Sequence, residues 1–213
     1  QQQGKYPDAI RQLRLCIRQC QQIGNRFHEG YARNNLGLCL FYLGTSLEEA
    51  LHQQEQAASI GKEFGHVRLE VAGLSEVAIV LLAMGETERA LSNAQAAVDL
   101  GEGMEAEGEA RAALAQCMQA LGDVENGLKE AEQARQLLIG EELRTEQYIQ
   151  LLVVYAELLE QSEAMDEAKG MFAVAWQRLN ERADVLTTTV EERDRFLVST
   201  PAYQRLVHQF QKA

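Results

Sequence analysis

Apolar and polar positions alternate along this chain in blocks of helical length, and the same order of blocks returns several times. A strongly apolar segment ends at a glycine, as in ARNNLGLCLFYLG (residues 32–44), and a more polar segment follows, as in LEEALHQQEQAASIG (residues 47–61). Within the polar segments the apolar residues recur at intervals of three and four, which is the period of one helix face. Each pair of blocks therefore predicts a helix, a tight turn and a second helix.

Five copies of this unit occur at a near-constant spacing. When the copies are aligned on one small residue of the second helix, their spacings are 41, 40, 37 and 41 residues. The aligned residues are Ala9, Ala50, Ala90, Gly127 and Ala168. Such a period indicates a repeat protein of about four and a half helix pairs, in which each unit packs against its neighbours.

Glycines mark both helix ends within a unit. Gly44, Gly85 and Gly122 follow the first helices, at the position where a left-handed residue commonly terminates a helix. A second set lies at or near the end of the second helices, at Gly24, Gly61, Gly101 and Gly140. We expect the small aligned residues to let the two helices of a pair approach closely.

The spacing within one unit resembles the tetratricopeptide repeat (TPR). Leu36-Gly37-x2-Leu40 resembles the pattern of the first TPR helix, with Leu in place of Tyr, and Ala168-x3-Phe172 resembles that of the second. The early Trp and the closing Pro of the family are missing, and the period is about 40 residues instead of about 34. In this respect the chain is similar to the TPR arrays of large bacterial signalling proteins. The resemblance covers roughly residues 4–183 and implies an all-α fold, a right-handed α-α superhelix (TPR-like solenoid).

The last part of the chain departs from the period. We predict TPR-like repeats over residues 1–183 and a C-terminal helical cap over 184–213, because a solenoid needs a terminal element that covers its last apolar face. Thr189 and Glu192 have the spacing of a capping box at a helix start, and Pro201 separates two short predicted helices.

The N-terminus is predicted to hold a single second-type helix, over residues 7–23. Its apolar face comprises Ile10, Leu13, Ile17 and Cys20. Since the natural partner helix would lie upstream, we expect this face to be uncovered, and a homodimer through it is one expected partner arrangement.

Composition and charge narrow the function classes. The apolar fraction is 46%, with only 2 prolines, and the net charge is −12. Residues 1–35 carry six basic and two acidic side chains, or +4, so the remaining residues carry −16. Nucleic-acid binding needs clustered basic residues and is not expected. No apolar run approaches the roughly 18 residues of a membrane span, and the 4 scattered cysteines suit buried thiols in a reducing cytoplasm.

No motif in the chain indicates a catalytic, nucleotide-binding or metal-binding site. The segment GEGMEAEG (residues 101–108) lacks the preceding strand that a dinucleotide-binding fingerprint requires, so it reads as an inter-repeat turn. An acidic cluster comprises Glu102, Glu105, Glu107 and Glu109. We interpret this cluster as solvated acidic surface in preference to a cation site. We therefore predict no catalytic residue, no metal site and no cofactor, and a chain that is not an enzyme.

The resemblance places candidate binding residues on the first helix of each pair, which lines the concave side of a TPR array. Those residues are Tyr31, Asn34, Leu38, Phe41, Ser75, Ile79, Leu82, Gln116 and Gln119, together with Ala72, Glu109 and Ala112. The clamp that some TPR proteins form around a C-terminal carboxylate uses Lys and Asn where this chain has Asn34 and Leu38, so it is not supported. A second interpretation is that Leu38, Ile79 and Leu82 only pack against neighbouring helices.

Two functions follow as hypotheses. The first is a non-catalytic protein-protein interaction or self-association module of a larger regulatory protein. The second is a sensor domain that binds a peptide or small effector in the concave groove and controls an upstream effector domain. Both imply a protein or peptide partner, with no nucleic acid and no membrane.

Overall fold

Helices account for the regular structure of the chain. The computed structural model describes residues 2–44, 46–138 and 146–210, with side chains from Tyr6 onward, and eleven α-helices lie within these ranges. They are α1 (Gln2–Gln22), α2 (Arg26–Leu43), α3 (Leu47–Glu63), α4 (Val67–Ala83), α5 (Thr87–Gly101), α6 (Glu107–Leu121), α7 (Val124–Leu137), α8 (Glu146–Gln161), α9 (Met165–Leu186), α10 (Val190–Leu197) and α11 (Pro201–Phe210). The predicted all-α class is confirmed.

The helices form two layers. Helices α2, α4, α6 and α8 contact one another in sequence, whereas the backbones of α3, α5, α7 and α9 lie close to those of the first-layer helices and the cap and not to one another, among the described residues. The first layer is therefore the inner, concave side of a TPR-like solenoid, and the second layer is the convex side. This is the arrangement that the repeat pattern predicted.

The glycines between paired helices have the backbone conformation expected of them. Gly44 and Gly122 are left-handed C-caps with φ of 67° and 75°, and Gly85 has a φ of 80°. The turn between α8 and α9 keeps the same geometry without a glycine, since Glu163 has a φ of 65°. Packing of α8 against α9 thus imposes on a glutamate a conformation that L-residues usually avoid. Gly140 lies outside the described residues.

Small residues allow the helices to approach closely, as the repeat alignment predicted. Ala50 and Ala90 are completely buried where the second helix of a pair crosses the first, and Leu36 and Leu40 pack inside the first pair. One close approach is between α3 and α4, where a Cβ on Gly73 would lie 2.6 Å from the backbone nitrogen of Ala58. Any side chain at residue 73 would force the two backbones apart.

A helical cap covers the last pair, as expected. Helix α11 packs against α8 and α9, with Tyr203 and Leu206 at most 1% exposed. The ring of Phe210 stacks on Trp176 with 5.5 Å between the ring centroids, and the Arg205 guanidinium lies 4.8 Å from the centre of the Phe172 ring. Helix α9 continues past residue 183 without interruption, so the division of the chain at residues 183 and 184 stays a prediction.

Helix α1 corrects the expectation for the N-terminal end. It begins at Gln2 instead of residue 7, with Pro7 inside it, because one missing backbone hydrogen bond does not stop a helix whose following turns pack well. Ile10, Ile17 and Cys20 are only 7%, 7% and 6% exposed. Together with half-buried Leu13, Ile10 and Ile17 pack into the core formed with α2 and α3. A partner could not reach these side chains unless α1 moved, so the predicted self-association face is not on the surface.

Two further observations concern the chain as a whole. Cys20 and Cys117 are buried and Cys16 and Cys39 half-buried, all four as free thiols, which agrees with the expected place of cysteines in helix cores. None of the described helices combines the length and apolarity needed to cross a membrane.

Candidate functional site

A cavity of about 230 Å³ lies on the concave side of the solenoid. The four inner helices supply nearly all of its wall. The lining comprises Tyr31, Asn34, Asn35 and Tyr42 of α2, Arg68, Ala72, Ser75, Glu76 and Ile79 of α4, Glu109, Ala112, Ala113 and Gln116 of α6, Leu138, and Gln147 and Gln150 of α8. Aromatic rings therefore lie on the α2 side, whereas side-chain amides come from α2, α6 and α8.

Eight of the twelve predicted groove residues line this cavity: Tyr31, Asn34, Ala72, Ser75, Ile79, Glu109, Ala112 and Gln116. The other four lie nearer the C-terminal ends of the inner helices and do not. Phe41 packs against the core of α1 to α3, Leu82 packs against the core of α4 to α6, and Leu38 is half-buried. Gln119 donates a hydrogen bond to Glu157 of α8 over 2.9 Å. Their role as binding residues stays a prediction.

Glu76 is the residue of this cavity that sequence reasoning missed. It is the single charged residue between Glu70 and Glu86, in the middle of the most apolar helix, and that isolation was a usable signal. Its Oε1 accepts a hydrogen bond from Gln147 over 3.2 Å, and no described side chain forms an ion pair with it. Burial, together with the negative charges of Glu109 and Glu146, raises the pKa of Glu76 to about 7 against the opposing effect of this hydrogen bond.

A second carboxylate with a similar environment is Glu146, at the start of α8. Burial raises its pKa to about 7, and the positive charge of Arg182 acts in the opposite direction. Burial and then the charge of Glu146 also raise the pKa of Tyr6 on α1, to about 12, and that of Tyr203 on α11. The electrostatic couplings of Tyr6 and Tyr203 to Glu146 indicate that α1 and α11 both lie near the start of α8. Helix α1 also contacts α10.

Several polar atoms at the cavity have unused hydrogen-bonding capacity. Asn34 Oδ1 and Ser75 Oγ are buried without a hydrogen-bond partner among the described residues, and Ser75 is only 5% exposed. Gln150 donates to Gln116 Oε1 over 2.8 Å, which leaves each amide with further donors or acceptors. Buried polar atoms normally find partners, so unpaired atoms at a cavity wall indicate a place where a ligand can supply them.

The acidic cluster at residues 102–109 has ordinary ion-pair partners. Arg68 pairs with Glu105 over 2.7 Å. Arg111 contacts Glu107 over 2.7 Å, and Glu107 also accepts a hydrogen bond from the Gly103 amide over 2.7 Å. Within the ranges that the structure describes, no group of three or more histidines, cysteines or carboxylates is placed to hold a metal ion.

Solved structures with the same fold are TPR-like proteins. A putative kinesin light chain from Podosopora anserina, with nearly identical TPR-like repeats, matches at 16% identity over 88% of this chain and 92% of its own, with a TM-score of 0.57. A single-residue variant of that protein matches at 16% identity over 86% and 90%, with a TM-score of 0.58. The apo form of RapI matches at 13% identity over 97% of this chain and 58% of its own, with a TM-score of 0.61.

These likenesses establish the fold, a TPR-like helical solenoid, which confirms the predicted repeat class. No protein-family model matches the sequence, and no curated protein matches it.

Proposed function

We propose that this chain is a non-catalytic protein-interaction module and that its concave cavity binds a short extended segment of a partner protein. The observation that carries the proposal is the lining itself. Side-chain amides from three of the four inner helices converge on one space, and Asn34 Oδ1 at its wall has no partner among the described residues.

Amides suit an extended peptide for a physical reason. Each residue of such a peptide presents one N–H donor and one C=O acceptor, and both must be paired when the peptide leaves water. Asn and Gln side chains offer donors and acceptors at the same time. The volume is somewhat below the range of about 300–1,000 Å³ that is typical of small-molecule sites. A cavity of this volume therefore accommodates a few residues of an extended peptide but not a packed helix.

The sensor hypothesis gains support from the meeting of the chain ends. Tyr6, Glu146, Arg182 and Tyr203 are electrostatically coupled close to the cavity and belong to α1, α8, α9 and α11. A ligand that displaced α8 would therefore act on both ends of the solenoid, and thus on a neighbouring domain of a larger regulatory protein. Self-association through the α1 face has less support, because Ile10, Ile17 and Cys20 are buried within the chain.

Peptide selection tests the proposal. A random heptapeptide pool is selected on the wild-type chain, and the binding of the recovered peptides to two variants is measured by fluorescence polarisation. Ala72→Phe fills the cavity. Ala173→Phe is the control, because it adds the same ring on the exposed surface of α9. We expect Ala72→Phe to weaken binding about tenfold or more and Ala173→Phe to have no effect. Equal binding to both variants, or no recovered peptide, would contradict the proposal.

A further inference from the structure

We propose that the cavity recognises a positively charged group of the bound segment, an arginine or lysine side chain or a free N-terminal ammonium, with Glu76 as the residue that pairs with it. This inference rests on the proposed function and adds the chemistry of the ligand. It uses the contrast between Glu76 and the other carboxylates of the interior.

The described carboxylates of the solenoid interior are generally paired with arginine. Glu29 is paired with Arg26 and Arg33, Glu107 and Glu130 with Arg111, and Glu132 with Arg135. Among the described residues, Glu76 has only the neutral amide of Gln147 as a donor. Arg68, the described cation of the cavity wall, is paired with Glu105 over 2.7 Å. Glu76 is half-buried, so its carboxylate has lost part of its hydration, and no described cation is paired with it to offset that loss.

A second observation at the same wall points to a ligand that donates hydrogen bonds. Ser75 precedes Glu76 on α4, is 5% exposed, and its Oγ has no hydrogen-bond partner among the described residues. Asn34 Oδ1, across the cavity on α2, also has no hydrogen-bond partner among the described residues. Both atoms accept hydrogen bonds, as does the carboxylate of Glu76. An ammonium carries three N–H donors and a guanidinium five, so either group would meet several of these acceptors at once.

Charge around Glu76 favours a cation and opposes an anion. The titratable groups that face it are Tyr42 from α2, Arg68 from its own helix, Glu109 from α6 and Glu146 from α8. Because burial and these carboxylates hold its pKa near 7, Glu76 is only partly ionised at neutral pH. Binding of an arginine or lysine side chain, which stays charged over this range, stabilises the charged form of Glu76, so binding releases a proton and affinity rises between pH 6 and pH 8. For an N-terminal ammonium the rise is smaller, because the α-amino group itself loses its proton near pH 8.

Heptapeptide pools with one fixed residue test the inference. The fixed residue is arginine, lysine, citrulline or glutamate, and each pool is prepared with a free and with an acetylated N-terminus. Citrulline keeps the shape of arginine without its charge, and acetylation removes the terminal ammonium, so the arms separate the two sources of positive charge. Binding is measured by competition at pH 6, 7 and 8 against wild type, Glu76→Gln and the matched control Glu88→Gln, an exposed carboxylate on α5.

We expect one of the cationic arms to bind the wild-type chain about tenfold better than its neutral counterpart at pH 7. For an arginine or lysine arm the preference is larger at pH 8 than at pH 6, and for a free N-terminus it is largest near pH 7. Glu76→Gln removes this preference and its pH dependence, and Glu88→Gln keeps both. Ser75→Ala reduces the preference by a smaller factor, and circular dichroism checks that each variant is folded. Calorimetric titration in two buffers of different ionisation enthalpy measures the released proton.

The outcomes separate this inference from the function on which it rests. Peptides that bind in a manner sensitive to Ala72→Phe, without preference for charge, overturn the cation inference and leave the interaction module intact. A preference for arginine that Glu76→Gln leaves unchanged also overturns it. Pools that do not bind the wild-type cavity at all overturn both proposals.

Discussion

Glu29 and Glu76 occupy consecutive inner helices, α2 and α4, and their surroundings differ completely. Glu29 is fully buried, and its carboxylate accepts hydrogen bonds from Arg26 over 2.6 Å and from Arg33 and Gln21 over 2.9 Å each. Burial alone would raise the pKa of Glu29, but these three donors hold it below its usual value. Glu76 has one neutral donor and two negative neighbours, and its pKa rises to about 7.

This difference separates two uses of a carboxylate in the same solenoid. The Glu29 cluster, formed by Glu29, Gln21, Arg26 and Arg33, is complete within the chain and joins α1 to α2. The environment of Glu76 is incomplete, because the described residues around it supply burial and hydrogen-bond acceptors and none of them is a cation paired with it. The first arrangement stabilises the fold, whereas the second costs stability at neutral pH and favours a ligand that restores the missing charge.

Removal of the Glu29 charge is expected to have the largest effect. Glu29→Gln leaves Arg33, whose side chain is 13% exposed, without its counter-charge, and leaves Arg26 with Glu63, over 3.2 Å, as its remaining described counter-charge. We expect the free energy of unfolding to fall by about 3 kcal/mol at pH 7. Urea denaturation measures this, with Glu88→Gln as a control that changes the exposed surface by the same charge and should stay within about 0.5 kcal/mol of wild type. A Glu29→Gln variant as stable as the control would contradict the assignment.

Glu76→Gln is expected to raise the free energy of unfolding, whereas Glu29→Gln lowers it, and to do so only at higher pH. In the native state the pKa of Glu76 is about 7, above the ordinary value of 4.5, so folding favours the protonated form. The stability that this proton contributes is fully present below pH 4.5 and is lost as the pH rises through 7. Replacement by Gln should thus raise the free energy of unfolding by about 1–2 kcal/mol at pH 8 and leave it nearly unchanged at pH 4.5 to 5.

Urea denaturation at the two pH values measures this difference. A variant whose advantage over wild type did not grow with pH would show that Glu76 is ionised at no cost in the native protein.

Two substitutions that each remove a neutral polar group, Gln21→Ala and Ser75→Ala, should give the smallest changes in stability. The two changes should have opposite signs. Gln21→Ala removes a donor to the buried Glu29 carboxylate and should destabilise the chain by about 1 kcal/mol. Ser75→Ala removes a buried hydroxyl that has no partner among the described residues, and it should stabilise the chain by about 0.5–1 kcal/mol. Thermal unfolding of both variants at one pH compares them directly. Effects of the same sign would remove the distinction between the two regions.

Local signals in the sequence were sufficient for the fold. Gly44 and Gly122 marked helix ends, because a left-handed backbone favours glycine, and Ala50 marked a helix crossing, because a larger residue would not fit. At the predicted capping box the Glu192 amide donates to Thr189 Oγ1 over 3.1 Å, while the Glu192 carboxylate accepts from the Thr188 amide over 2.9 Å. The prediction therefore placed the helix start correctly and missed the second bond by one residue.

The candidate site was predicted less completely, because it depends on how the inner helices assemble. Glu76 lies beside a predicted position, and only the curvature of the solenoid determines that its side chain lines the cavity. Gln147 and Gln150 belong to the fourth pair, for which no groove positions were counted. The apolar face of α1 was expected to be exposed because an isolated second-type helix was assumed to need an upstream partner. In the structure α2 covers most of that face.

The contact between α1 and α10 sets a limit on how this protein can evolve. An open solenoid gains or loses a repeat with little consequence for the others, since each unit contacts only its neighbours. Here the first helix also contacts the cap after the last pair. Duplication of one helix pair would separate α1 from α10 and move Tyr6 away from Glu146. Insertion of a helix pair between α1 and α10 would therefore break this contact, whereas substitutions along the existing helices can change what the interior binds without breaking it.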